Sequence, residues 1–321
     1  MFYYWVFFGK LFKRKLLNLS TLKTTKYIWV DGKFKKWKDV TIHLVNHTLH
    51  YGAGAFEGVR FYNTSDGPAI FRLQDHTKRL FYSANAIGMK IPYSQKEINN
   101  VTIKLLKKNK VKEGYIRPIV LYGYGKMGLN PAGAPVNTYI VSWPWGAYLG
   151  DEAVKVKTSK YIRIHPDSLV SDAKVTGHYV NSILASIEIK KEGFDEALFL
   201  DYKGNVAEGP GENIFMIKKG VTYTPPLGTI LAGITRDSVM VFAKDLGYKV
   251  VEKTLKLKDF YSADECFFTG TAAEVTAIAS IDKKKIGNGK MGPITTQLRK
   301  EFMNVVKGRK TKYKKWLTYI N

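Results

Sequence analysis

From residue 27 onward, apolar positions recur with two periods, every second residue and every third or fourth. The two-residue period marks strands, because successive side chains of a strand face opposite sides. Tyr27-Ile28-Trp29-Val30, the turn Asp31-Gly32 and Lys33-Phe34 predict a β-hairpin, since Asp-Gly accepts the positive φ of a tight turn. Further strands are predicted over 40–44, 115–122, 137–143, 154–158, 197–200, 214–217, 221–224, 266–269 and 275–281. Pro118 has no N–H to give a neighbour, which points to an edge or a bulge in the 115–122 strand. The helical period predicts helices over 74–87, 94–110, 181–191, 236–246 and 294–306. Asp75 is the expected N-cap of the first and Gly88 its stop, Ser94 and Glu97 form a capping box on the second, and Gly193 and Gly247 close the next two. Strands outnumber helices and mostly return by hairpins, an ordering that predicts an α+β fold rather than a doubly wound parallel sheet.

The pattern breaks at Pro144-Trp145-Gly146-Ala147-Tyr148-Leu149-Gly150, where aromatic residues stand between proline and glycine. This divides the chain into a small domain over 27–145, an interdomain loop over 146–152 and a larger domain over 153–321. Residues 1–26 stand apart: an aromatic and apolar run is followed by a basic stretch without acids. A secretory signal has the opposite order. A targeting peptide, a membrane-surface segment and an upstream extension are the alternatives for it. No stretch is long and apolar enough to span a bilayer, so no membrane partner is expected.

Composition changes this picture little. An apolar fraction of 45% is ample for a core. The formal net charge of +24 invites a nucleic-acid or membrane reading. The excess, however, lies in runs such as Lys35-Lys36, Lys107-Lys108, 283–285 and the tail over 307–315, which read as solvated faces and ends. No zinc-finger, basic-leucine or RNA-binding signature accompanies them, so no nucleic-acid partner is expected. A field that favours anionic substrates is the milder consequence. The single cysteine, Cys266, excludes internal disulfides and fits a reducing compartment; the cytoplasm is the expected location. His43, His47 and His50 are the one histidine cluster, and packing or polar support outweighs a metal site there.

One lysine falls outside the runs. Lys174 sits among small and hydroxyl residues in Ser171-Asp172-Ala173-Lys174-Val175-Thr176-Gly177-His178-Tyr179. A lone lysine tolerates burial, burial lowers its pKa, and a free amine is what a covalent bond to an aldehyde cofactor needs. Glu208 lies in a glycine-rich segment with a second acid, Glu212; a carboxylate beside a heteroaromatic ring nitrogen keeps that nitrogen protonated. Gly233-Ile234-Thr235 opens a helix, so its amides and the helix dipole favour an anion. Gly270-Thr271-Ala272 is a small-residue turn of the same use. Each alone is common as a cap or turn. Three glycines in Gly52-Ala53-Gly54-Ala55-Phe56-Glu57-Gly58 suggest close backbone packing or a tight interior turn. No Walker motif and no dinucleotide-binding fingerprint is present.

Taken in order, His50-Tyr51-Gly52, Phe56-Glu57-Gly58-Val59-Arg60, His76-Thr77-Lys78-Arg79-Leu80, Tyr115-Ile116-Arg117-Pro118, Gly128-Leu129-Asn130-Pro131, Pro144-Trp145-Gly146-Ala147-Tyr148, the Lys174 stretch, Glu208-Gly209-Pro210-Gly211-Glu212-Asn213, Gly233-Ile234-Thr235-Arg236 and Gly270-Thr271-Ala272-Ala273-Glu274 resemble the branched-chain amino acid aminotransferases, class IV (fold type IV) pyridoxal-phosphate enzymes. The resemblance runs from residue 27 to the C-terminus. It implies a small N-terminal α+β domain, a larger C-terminal pseudo-barrel domain, and at least a homodimer. It implies pyridoxal 5'-phosphate held covalently by Lys174, which is also the catalytic acid/base. Tyr179 would bond the cofactor's phenolic oxygen and Glu208 its pyridine nitrogen, while Arg79, Ile234, Thr235 and Thr271 hold the phosphate. Thr271 and Ala272 would bind the substrate α-carboxylate, and Phe56, Tyr51, Tyr115, Arg117, Tyr148 and Trp145 would line the substrate pocket, some from a partner subunit. Arg117 would meet the γ-carboxylate of glutamate. The implied reaction moves the amino group of L-leucine, L-isoleucine or L-valine to 2-oxoglutarate. D-amino acid aminotransferase and aminodeoxychorismate lyase are the rivals within the fold. His178 stands where the family often has asparagine.

Overall fold

The computed structural model describes residues 22–146 and 152–320. The first sheet is built from β1 (Tyr27–Val30), β2 (Lys33–Lys36), β3 (Gly54–Phe56), β4 (Val59–Thr64), β5 (Gly67–Phe71), β6 (Gly114–Tyr122) and β7 (Val136–Trp143). The second contains β8 (Val154–Thr158), β9 (Glu196–Leu198), β10 (Asn213–Lys218), β11 (Val221–Thr224), β12 (Val250–Glu252), β13 (Glu265–Gly270), β14 (Glu274–Ile281) and β15 (Lys284–Lys285). A last strand, β16 (Leu317–Tyr319), returns to pair antiparallel with β5. The residues assigned from sequence to the end of the larger domain are therefore hydrogen-bonded into the first sheet. Most pairings are antiparallel; β8 with β9, β8 with β14 and β11 with β12 are parallel. This is the α+β arrangement the hairpin-rich order predicts.

Seven α-helices accompany the sheets: α1 (His47–Tyr51), α2 (Leu73–Ala86), α3 (Gln95–Asn109), α4 (Tyr179–Lys191), α5 (Ile234–Asp245), α6 (Leu257–Tyr261) and α7 (Pro293–Val306), all among the described residues. Helices α2 and α3 cover the first sheet: Leu73, Ile98 and Leu105 pack with Phe61, Ile116 and Ile140, and Leu80 packs with Ala55, Val120 and Tyr122. A second core joins the two sheets. Tyr62, Ala69 and Phe71 of the first meet Phe242 of α5, Phe302 of α7 and Phe215 and Phe267 of the second. Phe215 and Phe267 stack with ring centroids 4.9 Å apart. That shared core fixes one sheet against the other, which a site lined from both requires.

Several local expectations fail for physical reasons. Residues 40–44 alternate but form no strand: Ile42, Leu44 and Val45 are exposed, and no strand among the described residues pairs with them. Asp75 is not the N-cap of α2: Arg72, at φ 52°, precedes the helix, and its Nε donates to Asp75 Oδ2 at 2.6 Å. Pro118 lies inside the sheet, pairing with Ile140 on one side. On its other side β3 has ended and β4 has not begun, so the missing N–H faces that break, and the Pro118 carbonyl accepts from the Glu57 N–H at 2.9 Å. The lysines of the 307–315 tail are largely exposed as expected, yet Tyr313 between them is buried and donates to Asp245. The capping box at Ser94 and Glu97 is formed.

Candidate active site

A cavity of about 340 Å³ is lined from both sheets and from α2, α4 and the start of α5. That volume suits a small-molecule site. Lys174 projects into it, half-buried rather than fully enclosed, and its Nζ donates to the Tyr179 hydroxyl at 2.6 Å. The backbone of Lys174 is gripped from two sides. Its N–H donates to Ser83 Oγ of α2 at 2.9 Å, and its carbonyl accepts from the Phe56 N–H at 3.1 Å. The turn that follows is tight: Gly177 N–H donates to Gly52 O at 2.9 Å, and a Cβ on Gly52 would come within 3.1 Å of Gly177 Cα. The glycines of the 52–58 segment thus serve close backbone packing. Gly58 shows the same, for a Cβ there would lie 1.9 Å from the Tyr115 hydroxyl.

Glu208 is buried in the same cavity. Arg163 Nε donates to its Oε1 at 2.5 Å, Asn213 Nδ2 to its Oε2 at 2.9 Å, and the Leu231 N–H reaches both oxygens at 3.2 and 3.1 Å. Burial pushes the carboxyl up from its ordinary value, and the Arg163 guanidinium opposes that shift. Arg163 also donates to the Ser171 carbonyl at 2.9 Å, so one side chain ties the Glu208 carboxylate to the lysine-bearing loop. Sequence reasoning missed Arg163, which lies in no motif of its own. Glu212 lines the cavity as well, with Glu196 nearby; burial, then Glu196, pushes the Glu212 carboxyl up to about 8. His178 is buried, its Nδ1 lies 3.1 Å from the Ala173 carbonyl, and burial holds the imidazole below its ordinary value.

Another part of the wall is built for an anion. Helix α5 starts at Ile234 without a side-chain cap, and Ile234 and Thr235 are buried in the cavity lining. Their amides have no carbonyl partner within the helix. Arg79 of α2 lies against this terminus, donating from Nη1 to the Ala232 carbonyl at 2.8 Å. Its Nε and Nη2 donate to Glu57 at 2.6 and 3.0 Å, and His76 Nδ1 sits 2.7 Å from the same carboxylate. Burial favours a neutral Glu57, but Arg79 and His76 hold the carboxyl well below the usual carboxylate range. Thr271 also lines the cavity, and Thr269 Oγ1 is buried there without a hydrogen-bond partner. The donor set fits pyridoxal phosphate: an amine for an aldehyde, a buried acid for a ring nitrogen, and a helix terminus beside an arginine for a phosphate.

Phe56, Tyr115, Arg117, Trp145 and Ala272 line the remaining wall. The Arg117 Cζ lies 4.7 Å from the Phe56 ring centroid and 5.3 Å from that of Tyr115. Arg117 Nη2 donates to the Tyr115 hydroxyl at 3.1 Å, while its buried Nε has no partner. The Tyr115 and Trp145 rings meet edge to face at 4.7 Å. Tyr51 does not reach the cavity of its own chain. It is exposed on α1, where its hydroxyl accepts from the Gly128 N–H at 3.3 Å. Tyr148 lies outside the described residues. The histidine cluster bonds the backbone: His47 Nε2 is 2.9 Å from Gly128 O, His50 Nε2 is 3.0 Å from Leu44 O, and His43 Nδ1 accepts from the Val45 N–H.

A family model described as amino-transferase class IV matches residues 54–281. The chain is 49% identical over 297 residues to a branched-chain-amino-acid aminotransferase of Pseudomonas aeruginosa, covering 91% of this chain and 97% of that protein. The structure of the branched-chain aminotransferase of Thermoproteus uzoniensis with norvaline superposes with a TM-score of 0.90 at 37% identity, over 92% of this chain and 100% of that one. The branched-chain amino acid aminotransferase of Thermobaculum terrenum in its PLP-form gives a TM-score of 0.88 at 36% identity, over 93% and 99%.

Proposed function

The chain belongs to the class IV aminotransferases, and from that premise we infer that it is a pyridoxal-phosphate-dependent branched-chain-amino-acid transaminase. It moves the amino group of L-leucine, L-isoleucine or L-valine to 2-oxoglutarate in two half-reactions, yielding the branched 2-oxo acid and L-glutamate. The observation that carries this reading is the pairing of Lys174 Nζ with the Tyr179 hydroxyl in a cavity that also holds the Glu208 carboxylate and the free end of α5.

Bound pyridoxal phosphate supplies an aldehyde that an amine captures and a ring that withdraws electrons from the substrate α-carbon. Lys174 Nζ would be the amine that holds the aldehyde and, when free, the base placed to accept the substrate α-proton and to give it back. Tyr179 orients that amine and bonds the phenolic oxygen. Glu208, whose carboxylate Arg163 bonds against the upward push of burial, would pair with the ring nitrogen. Arg79, Thr271 and the amides of Ile234 and Thr235 hold the phosphate. The amides of Thr271 and Ala272 take the α-carboxylate. Phe56, Tyr115 and Trp145 exclude water around a branched side chain, and Arg117 stands ready for the γ-carboxylate of glutamate.

We propose a homodimer as the working form. Val180, Ile183, Leu184 and Ile187 form one apolar stripe along α4 at helical spacing, between 41% and 57% exposed, beside the cavity. Tyr51, turned away from its own cavity, and Tyr148 complete the pocket in this reading, some of these contacts crossing between subunits. The cytoplasm is the proposed location; no helix among the described residues is long and apolar enough to cross a membrane. The absorbance of the purified protein, recorded before and after L-leucine, tests the reading. A visible band that L-leucine abolishes and 2-oxoglutarate restores is expected. A D-alanine response in place of an L-leucine response favours the rival D-amino acid reading.

A further inference from the structure

We propose that Glu57 is a positioning residue for the cofactor phosphate, acting through Arg79. The proposal rests on the reading of Arg79 as a phosphate ligand and goes beyond it. Glu57 is 0% exposed, and every hydrogen bond to its carboxylate comes from an orienting donor: Arg79 Nε and Nη2, His76 Nδ1 at 2.7 Å, and the Gly58 N–H at 3.2 Å. A guanidinium has five N–H donors. Glu57 occupies the Nε–Nη2 side and Ala232 O one Nη1 hydrogen, which leaves one N–H on Nη1 and one on Nη2. Those two groups can form the fork that grips a phosphate with parallel hydrogen bonds. The Ala232 contact holds it against the free amides at the start of α5.

The contacts also close on themselves. From Glu57 the chain steps back to Phe56, whose N–H donates to the Lys174 carbonyl. From Arg79, α2 runs one turn to Ser83, whose hydroxyl accepts from the Lys174 N–H. Residues four apart lie on one face of a helix. The Glu57–Arg79 ion pair is the link in this ring made between two side chains, and it sets how far the phosphate grip stands from the Lys174 amine. His76 Nδ1 lies 2.7 Å from the same carboxylate; burial lowers its imidazole from the ordinary value and the Glu57 carboxylate opposes that shift.

Affinity for pyridoxal phosphate and for pyridoxal, which lacks the phosphate, separates this role from a general structural one. Both are titrated into the full chain stripped of cofactor and followed by absorbance. In Glu57→Gln, affinity for pyridoxal phosphate is expected to fall about tenfold or more, while affinity for pyridoxal stays within about twofold. Arg79→Gln should show the same selective loss, and adding Glu57→Gln to it should cost little more. Where Glu57→Gln fails to fold, Glu57→Asp, which keeps the charge one methylene short, should show a smaller loss with the same selectivity. Full preference for the phosphorylated cofactor in the Glu57 variant, with that preference lost in the Arg79 variant, overturns the proposal alone. Full preference in the Arg79 variant overturns the reading of Arg79 and this proposal together.

Discussion

Arg163 Nε lies 2.5 Å from Glu208 Oε1, and this contact opposes the upward push that burial exerts on the carboxyl. Removing it with Arg163→Met should leave Glu208 protonated up to a higher pH. The acid limb of the kcat/KM profile should then move to higher pH, with kcat at neutral pH lowered about 10- to 100-fold. A profile that keeps its shape and merely scales down would count against this role.

Lys174 should be indispensable. Lys174→Ala is expected to lose the visible band of the lysine-bound cofactor and to lower turnover of L-leucine by at least about 10³-fold. Unchanged turnover would overturn the site assignment.

Arg117 has a buried Nε without a partner, and its guanidinium lies over the Phe56 ring. Arg117→Met should raise KM for 2-oxoglutarate about tenfold or more while leaving KM for L-leucine within about threefold. Equal losses for both substrates would point to general damage of the pocket.

Glu212 titrates in reverse to an ordinary surface acid. Its folded value of about 8 exceeds its ordinary 4.5, so the folded chain binds that proton more tightly than the unfolded chain. Its stabilising contribution is complete below about pH 4.5 and is lost as pH rises through about 8. Glu212→Gln should therefore gain thermal stability relative to the parent as pH is raised from 5 to 9, by on the order of a few kcal/mol at the upper end. Melting curves whose difference does not change with pH would refute this.

The α4 stripe gives a test of assembly. Lysines at Val180 and Ile187, both on the exposed stripe, should convert a dimer to monomers in light scattering. An unchanged mass would move the dimer contact elsewhere.

Lys174, Tyr179, Glu208 and the start of α5 are legible together through the ordered motifs of the resemblance, since each segment alone is common as a cap or turn, and all of them line one cavity. What the sequence hid is partnership. Arg79 and Glu57 are 22 positions apart, and Arg163 and Glu208 are 45 apart, so no local period relates them. Arg163 is in addition one basic residue among many. Local alternation misled at 40–44, where apolar spacing found no neighbouring strand among the described residues. The Pro118 rule gave an edge or bulge, and the sheet used a gap between β3 and β4 instead. Both misses arise because a strand is defined by what lies beside it, which one stretch of residues does not record.

The antiparallel seam between β5 and β16 constrains synthesis as well as shape. Residues up to 319 must leave the ribosome before β5 gains its outer neighbour. Until then the nascent first sheet presents an open backbone edge to every other emerging polypeptide. Recombinant yield of this protein should depend on chaperone supply and growth temperature for that reason.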